Sequence, residues 1–197
     1  MKQKIAVVIG LFALFLGGVA AYILTSDKAE ESTYAVETPA DVSTVEFSLP
    51  DVSGAVRESS EWHGTARLIN FWATWCAPCR REIPLLKKTQ ETYGAENVQV
   101  IGIAVDFQED VAAYAEEAQF NYPILVGQED AMAIAETSGI DFIGMPFTMI
   151  VAPSGELIKA HIGEIVESHI EQIIAVFADL ENGSIDIAGA REALGTL

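Results

Sequence analysis

The sequence predicts an α/β fold: a mixed central sheet flanked by helices, with an N-terminal hairpin and a central βα insertion. Three observations carry this. Short apolar runs of strand length alternate with segments whose apolar residues recur at helical spacing. Late in the chain a Pro153-Ser154-Gly155 turn separates two strand-like runs, so part of the sheet is antiparallel. Leu68, Ile69, Phe71 and Trp72 crowd one run too short and too aromatic for a helix, as in a strand covered on both faces.

The elements follow in order. Residues 5–24 carry no charge, with Lys2 and Lys4 before them and Asp27, Lys28, Glu30 and Glu31 after. As a helix they would span roughly 30 Å, the thickness of a hydrocarbon core. A cleaved leader needs only about 7–15 apolar residues and a small-x-small site. Gly18-Val19-Ala20 is a poor example of that site. Residues 1–24 are therefore expected to be a transmembrane anchor, with a cleaved signal peptide and a secreted product as the alternative. The two lysines would hold the N-terminus in the cytoplasm and send the rest across.

Residues 25–43 are rich in Ser, Thr, Ala and Glu without apolar period, which predicts a flexible linker. The domain is expected over 44–182. Val45, Phe47 and Leu49 alternate, turn at Pro50-Asp51 and Ser53-Gly54, and Val56 opens the second arm of a hairpin. A strand over 66–73 leads into a helix reaching about Tyr93, with Pro84 as a kink and Gly94 as its stop. Next come a strand over 98–105 ending at Asp106, a helix carrying Val111, Tyr114, Ala115 and Ala118, a short strand over 124–126, and a short helix over 130–138. The hairpin pairs 147–152 with 156–163, and Ile170, Ile173, Ile174, Phe177 and Leu180 mark a helix over 167–181. Residues 183–197 read as a tail of weak helical character.

All 29 acidic residues and nine of the 11 basic ones follow Leu24, giving that part a charge of about −20. A phosphate backbone would be repelled, which argues against nucleic acid as a partner. The charge otherwise reads as a solvated acidic surface.

The two cysteines, Cys76 and Cys79, are the only ones in the chain and lie at the seam between the 66–73 strand and its helix. Cys76 falls just outside the first helical turn, where unpaired N–H groups and the dipole favour a thiolate. Cys79 lies one turn further in, within reach for a small disulfide ring. So short a loop removes little chain entropy, so stability is a poor reason for the pair. A zinc site would need two more ligands, and His63, His161 and His169 stand singly. Glu82, three residues beyond Cys79, shares its helical face. Partly buried beside two thiols, its carboxyl would have a raised pKa and could move a proton; otherwise it is an ordinary first-turn glutamate. Asp106 ends a strand near the cysteines and could touch substrate, but reads first as a strand-end turn residue. His161 and His169 are expected to be exposed.

Phe71-Trp72-Ala73-Thr74-Trp75-Cys76-Ala77-Pro78-Cys79 resembles the active-site segment of the thioredoxin superfamily. The continuation Arg80-Arg81-Glu82-Ile83-Pro84 is similar to the TlpA-like branch, whose membrane-tethered, extracytoplasmic members include ResA and the DsbE-type reductases. The resemblance runs from about Val45 to Glu181. It includes Phe47-Ser48-Leu49-Pro50-Asp51 and the Gly144-Met145-Pro146-Phe147-Thr148 loop.

It implies a thioredoxin-like fold and an extracytoplasmic thiol:disulfide oxidoreductase, most simply a protein-disulfide reductase without cofactor or metal. Cys76 and Cys79 would form the redox disulfide, and Glu82 would serve the resolving cysteine. Trp75, Pro78, Met145 and a cis Pro146 would contact substrate. The buried aspartate of thioredoxins proper is replaced by Asn70, which cannot titrate. The resemblance further implies the bacterial inner membrane with the domain in the periplasm, a membrane electron donor of the DsbD or CcdA type, and disulfide-containing clients such as apocytochrome c. A thiol peroxidase, and a non-catalytic holder of a partner or of copper, are the competing readings.

Overall fold

The computed structural model describes residues 44–197. The expected anchor over 5–24 and linker over 25–43 lie outside the described residues. Among the described residues no helix is long and apolar enough to cross a membrane.

β1 (Ser48–Pro50) and β2 (Val56–Glu58) form a small antiparallel hairpin, followed by a single 3-10 turn, Ser59–Trp62. β3 (Ala66–Trp72), α1 (Ala77–Tyr93), β4 (Val98–Val105), α2 (Gln108–Ala118), β5 (Ile124–Gly127) and α3 (Glu129–Glu136) then alternate. β6 (Phe147–Val151) and β7 (Leu157–Ile162) make the late hairpin, and α4 (Glu167–Glu181) and α5 (Ile187–Ala193) close the chain.

The main sheet has the order β5-β4-β3-β6-β7. β3, β4 and β5 run parallel, joined by helical crossovers, whereas β6 is antiparallel to both β3 and β7. β3 is the central strand, and all seven of its residues are buried. That explains why Leu68, Ile69, Phe71 and Trp72 are apolar on both faces, with Arg67 and Asn70 as the two buried polar residues of the strand.

One face of the sheet carries Leu68, Trp72, Val100 and Ile150 beneath Ile83 and Leu86 of α1 and Ile170, Ile173, Val176 and Phe177 of α4. The other carries Ile69, Phe71, Ile101, Ile103 and Met149, covered by Val45, Phe47, Leu49 and Trp62 and by Ala131 and Ala135 of α3. Each large side chain so buried contributes roughly 1.5–3 kcal/mol. Gly102 sits in β4 beneath the Trp72 indole, where an added Cβ would lie 3.2 Å from Nε1 and 2.6 Å from Cδ1 of Ile124. A side chain here would have to displace Ile124 Cδ1 and crowd the Trp72 and Tyr122 rings.

Two sequence expectations are corrected. α1 does end before Gly94, but Gly94 stays right-handed at φ −59. The left-handed residue is Asn97 at φ 61, after a further 3-10 turn, and its Nδ2 donates to Gly64 O at 2.8 Å. Asparagine does here what glycine was expected to do, because its short amide side chain is tolerated in the left-handed region. The 183–197 stretch is not a loose tail. α5 forms, Asp186 caps it by accepting from Gly189 N, and Ala190 and Leu194 are fully buried in the same core as α4. The packed core therefore extends past residue 182.

Candidate active site

The site lies at the carboxyl ends of β3 and β4, where the chain leaves β3 for α1. Cys76 N donates to Ala73 O, and Arg80 N to Cys76 O, so a tight turn delivers Cys76 to the helix mouth. Cys76 is the N-cap residue of α1, and its sulfur accepts from Cys79 N at 3.3 Å. Pro78 occupies the first turn, where its missing N–H costs no helical bond. Cys76 and Cys79 are joined as a disulfide across a Cα–Cα distance of 5.3 Å. Cys76 is 5% exposed and Cys79 0%, so Cys76 is the one an incoming sulfur can approach.

A carboxylate clamp holds the turn. Asp106, at the end of β4, accepts from Thr74 N at 2.9 Å and Thr74 Oγ1 at 2.6 Å through Oδ2, and from Phe107 N at 2.9 Å through Oδ1. This fixes the residues before Cys76 against the neighbouring strand. Its role is more specific than a generic strand-end turn, although it has no contact with the sulfurs among these bonds. Trp75, between the clamp and Cys76, is 69% exposed, whereas Trp72 is buried among Tyr114 and Phe120.

Glu82 lies one turn beyond Cys79 on the inner face of α1 and is 1% exposed. Its Oε1 accepts from Asn70 Nδ2 at 2.8 Å, and its Oε2 accepts from Ile165 N at 2.6 Å. Asn70 also donates to Thr148 Oγ1 at 3.0 Å, linking β3, α1 and β6. Burial raises the Glu82 carboxyl to about 7, and the two hydrogen bonds pull it back only partly. Tyr122, buried nearby, has its phenol pushed up, first by burial and then by the Glu82 charge. The first-turn, dipole-stabilising alternative for Glu82 is thereby set aside: the side chain points inward.

Met145 and Pro146 are joined by a cis peptide bond at the start of β6. Met145 packs against the core cluster that contains Cys76 and Cys79. Because Phe71 pairs with Phe147, this loop meets the end of β3 that carries the disulfide. The structure thus gathers Trp75, Cys76, Pro78, Cys79, Glu82, Met145 and Pro146 at one end of the sheet.

His161 and His169 are not the exposed residues expected. Both are half-buried, and their rings lie 4.9 Å apart where the end of β7 meets the start of α4. Burial, and next the neighbouring His169, lower the His161 pKa. Among the described residues no group of three or more His, Cys, Asp or Glu is placed to hold a metal. Sequence reasoning missed the Ile165 amide and Thr148 as partners of the buried polar chain. Neither carries a spacing signal, since both reach Glu82 and Asn70 only through the fold.

The AhpC/TSA family profile matches residues 42–160. The chain belongs to the AhpC/TSA family. Within it, this member is similar to the thiol-disulfide oxidoreductase ResA of Geobacillus kaustophilus, at 26% identity over 157 residues, 79% of this chain and 86% of the relative. The thioredoxin-like protein YneN of Bacillus subtilis is 31% identical over 121 residues, 59% of this chain and 68% of the relative. Among solved structures, a thiol:disulfide interchange protein of the thioredoxin family from Chlorobium tepidum aligns with a TM-score of 0.59 at 28% identity, covering 66% of this chain and 91% of that one. The fold is thioredoxin-like, and the AhpC/TSA member described here falls in the TlpA/ResA/DsbE branch expected from its sequence.

Proposed function

We propose that this protein is an extracytoplasmic thiol:disulfide oxidoreductase that reduces protein disulfides, held at the bacterial inner membrane by residues 5–24. The observation that carries the chemistry is Glu82, a buried carboxyl one turn from Cys79 with a pKa raised to about 7. A carboxyl whose pKa burial moves from the usual carboxylate range towards neutrality is suited to carry a proton.

In the reduced enzyme the Cys76 thiolate attacks one sulfur of the client disulfide. The client S–S bond breaks, its second sulfur leaves as a thiolate, and Cys76 is joined to the client. Cys79 gives its proton to ionised Glu82 and attacks the Cys76 sulfur. The bond to the client breaks, and the Cys76–Cys79 disulfide described here is formed. Two electrons have passed to the client, whose thiolates take up protons from Glu82 and from water. Trp75 and Pro78 flank the reacting sulfurs, and Met145 and Pro146 border the approach. The backbone groups of Met145 make no backbone hydrogen bond among the described residues, leaving them free to pair with an extended client.

The pair must then be reduced again by a dithiol donor, for which a membrane carrier of the DsbD or CcdA type is the natural class. Apocytochrome c is one client class. The loop Gly144-Met145-Pro146-Phe147-Thr148 lacks the Pro-Glu-Thr run of a dedicated DsbE-type enzyme, so a general ResA-like reductase is the better description. The name of the AhpC/TSA family also admits a thiol peroxidase. A partner cysteine three residues from the first, joined to it directly, favours disulfide exchange.

The test is reduction of a protein disulfide by the full chain with dithiothreitol as donor. Cys76→Ser should abolish turnover, and Cys79→Ser should accumulate a client mixed disulfide. A Cys76→Ser protein that turns over at the wild-type rate would end this reading. A reporter fused after residue 43, active only outside the cytoplasm, tests the location.

A further inference from the structure

Seven large apolar side chains are strongly exposed in the described residues, and six of them collect at the end of the sheet that bears the disulfide. Trp75 follows β3 and Phe107 follows β4, whose ends are paired through Trp72 and Ala104. Ile140 and Ile143 lie in the loop leading to Pro146 and β6. Ile162 ends β7 opposite Phe147, and Val166 follows it. Scattered surface apolar residues are normal, but a cluster at one end of a molecule marks a contact surface.

The three most exposed of these six are Trp75 at 69%, Phe107 at 63% and Ile143 at 78%. Thr74 and Phe107 are bonded to the two oxygens of one Asp106 carboxylate, so Trp75 and Phe107 project from a common clamp. Phe107 O also accepts from Val111 N at 3.0 Å, and Ile143 N donates to Asp141 O at 2.9 Å. The Asp106 bonds fix the backbone beside Trp75 and at Phe107, so less freedom is lost there when these side chains are covered.

The surrounding charge narrows the occupant. Glu109 and Asp110 follow Phe107, and Asp141 precedes Ile143 by two residues. All three are exposed, and none makes an ion pair among the described residues. Arg80, which follows Cys79, has its charge acting on Tyr114, Arg81 is bound to Glu164, and Arg57 is bound to Glu61 and lies against Asp51.

We infer that Phe107 and Ile143 are specificity-determining residues. They form, with Trp75, a rim that selects disulfides whose cysteine lies in an extended segment, apolar beside the cysteine and basic beyond it. This rests on the reductase reading and names the class of client that reading leaves open. Apolar client side chains would cover Phe107 and Ile143, and client Lys or Arg would face Asp141, Glu109 and Asp110.

The experiment compares three synthetic peptide disulfides reduced by the full chain: one with Leu beside the cysteine and Lys beyond, one with Ser at those positions, and one with Leu beside and Glu beyond. The expected kcat/KM for the Leu/Lys peptide exceeds that for the Ser peptide by about tenfold or more, the size typical of apolar pocket selection. The Glu peptide should fall below the Leu/Lys peptide, and the gap should narrow as salt rises. Phe107→Ser with Ile143→Ser should collapse the Leu/Lys-to-Ser ratio towards one. Asp110→Lys with Asp141→Lys should favour the Glu peptide. Equal kcat/KM across the three peptides would overturn the rim while leaving the reductase intact. No reduction of any peptide, nor of a small aromatic disulfide, would overturn the reductase reading itself. A wild-type dimer that Phe107→Ser with Ile143→Ser converts to monomer would assign the rim to a second copy of the chain and overturn the client reading.

Discussion

Glu82 and Arg67 are two buried ionisable residues of opposite kind, and each sets a measurable property. Glu82 has its carboxyl raised from 4.5 to about 7, chiefly by burial. Between those values the folded state binds a proton that the unfolded chain has released, so folding stability falls as pH rises through this window. The contribution is complete below about pH 4.5 and gone above about pH 7, with a size of about 3 kcal/mol. Glu82→Gln keeps an oxygen that can accept from Ile165 N or Asn70 but cannot ionise. Its denaturant midpoint, compared with wild type at pH 5 and pH 8, should lack this decline. The same variant should slow resolution by Cys79 most strongly near neutral pH. Arg67, on the opposite face of β3, is fully buried, and its Nε, Nη1 and Nη2 have no hydrogen-bond partner among the described residues. Burial lowers its pKa, and the Glu46 charge offsets this only in part, that carboxylate being bonded to Ser59 and His63. An unsatisfied buried cation costs more than an apolar side chain of similar length. Arg67→Met should therefore raise stability by about 1–4 kcal/mol in urea unfolding. The role of Glu82 was legible because its spacing from Cys79 is local. The burial of Arg67 was not, since an arginine in an apolar strand gives no hint of what faces it.

At the scale of elements, the reactive turn is held from a neighbouring strand rather than from within. The Asp106 carboxylate satisfies Thr74 N, Thr74 Oγ1 and Phe107 N at once. Asp106→Ala would strip three donors of their acceptor at a part-buried point, costing about 1–3 kcal/mol. The loss should appear as faster hydrogen exchange in residues 73–76 and a lower rate of disulfide reduction, with α4 unaffected. The sequence placed Asp106 at the end of β4 correctly, yet could not show that β3 and β4 would lie side by side with Thr74 facing it. Helix α4 was legible to the residue because its apolar positions repeat at helical spacing over four turns. Helix α5 was not. Seven residues hold too few apolar positions for a period, and its helix is fixed by burying Ala190 and Leu194 against α4 and β7. Residue Asn97 escaped notice for a related reason: the left-handed turn it makes is set by where β4 must begin, not by the composition of the turn.

The whole molecule carries a net charge of −18. Arg57–Glu61, Arg81–Glu164 and Lys88–Glu167 are the tightest ion pairs in the described residues, and their side chains are between 30% and 64% exposed. Such pairs contribute about 0.2–1 kcal/mol each in water, and salt weakens them. Against them stands the mutual repulsion of the unpaired acidic residues, which salt also weakens and which favours expansion of the chain. With acidic residues outnumbering basic ones 24 to 8 over residues 44–197, the repulsion is the larger sum. Moving from about 10 mM to about 150 mM sodium chloride shortens the screening length from roughly 30 Å to roughly 8 Å, enough to silence contacts across the domain while sparing the pairs in contact. The melting temperature should therefore rise, by about 2–4 °C for each 1 kcal/mol gained. Scanning calorimetry of residues 44–197 across that range checks the sign. A melting temperature that fell with salt would mean that the surface pairs, and not the excess acid, dominate the electrostatics of the fold.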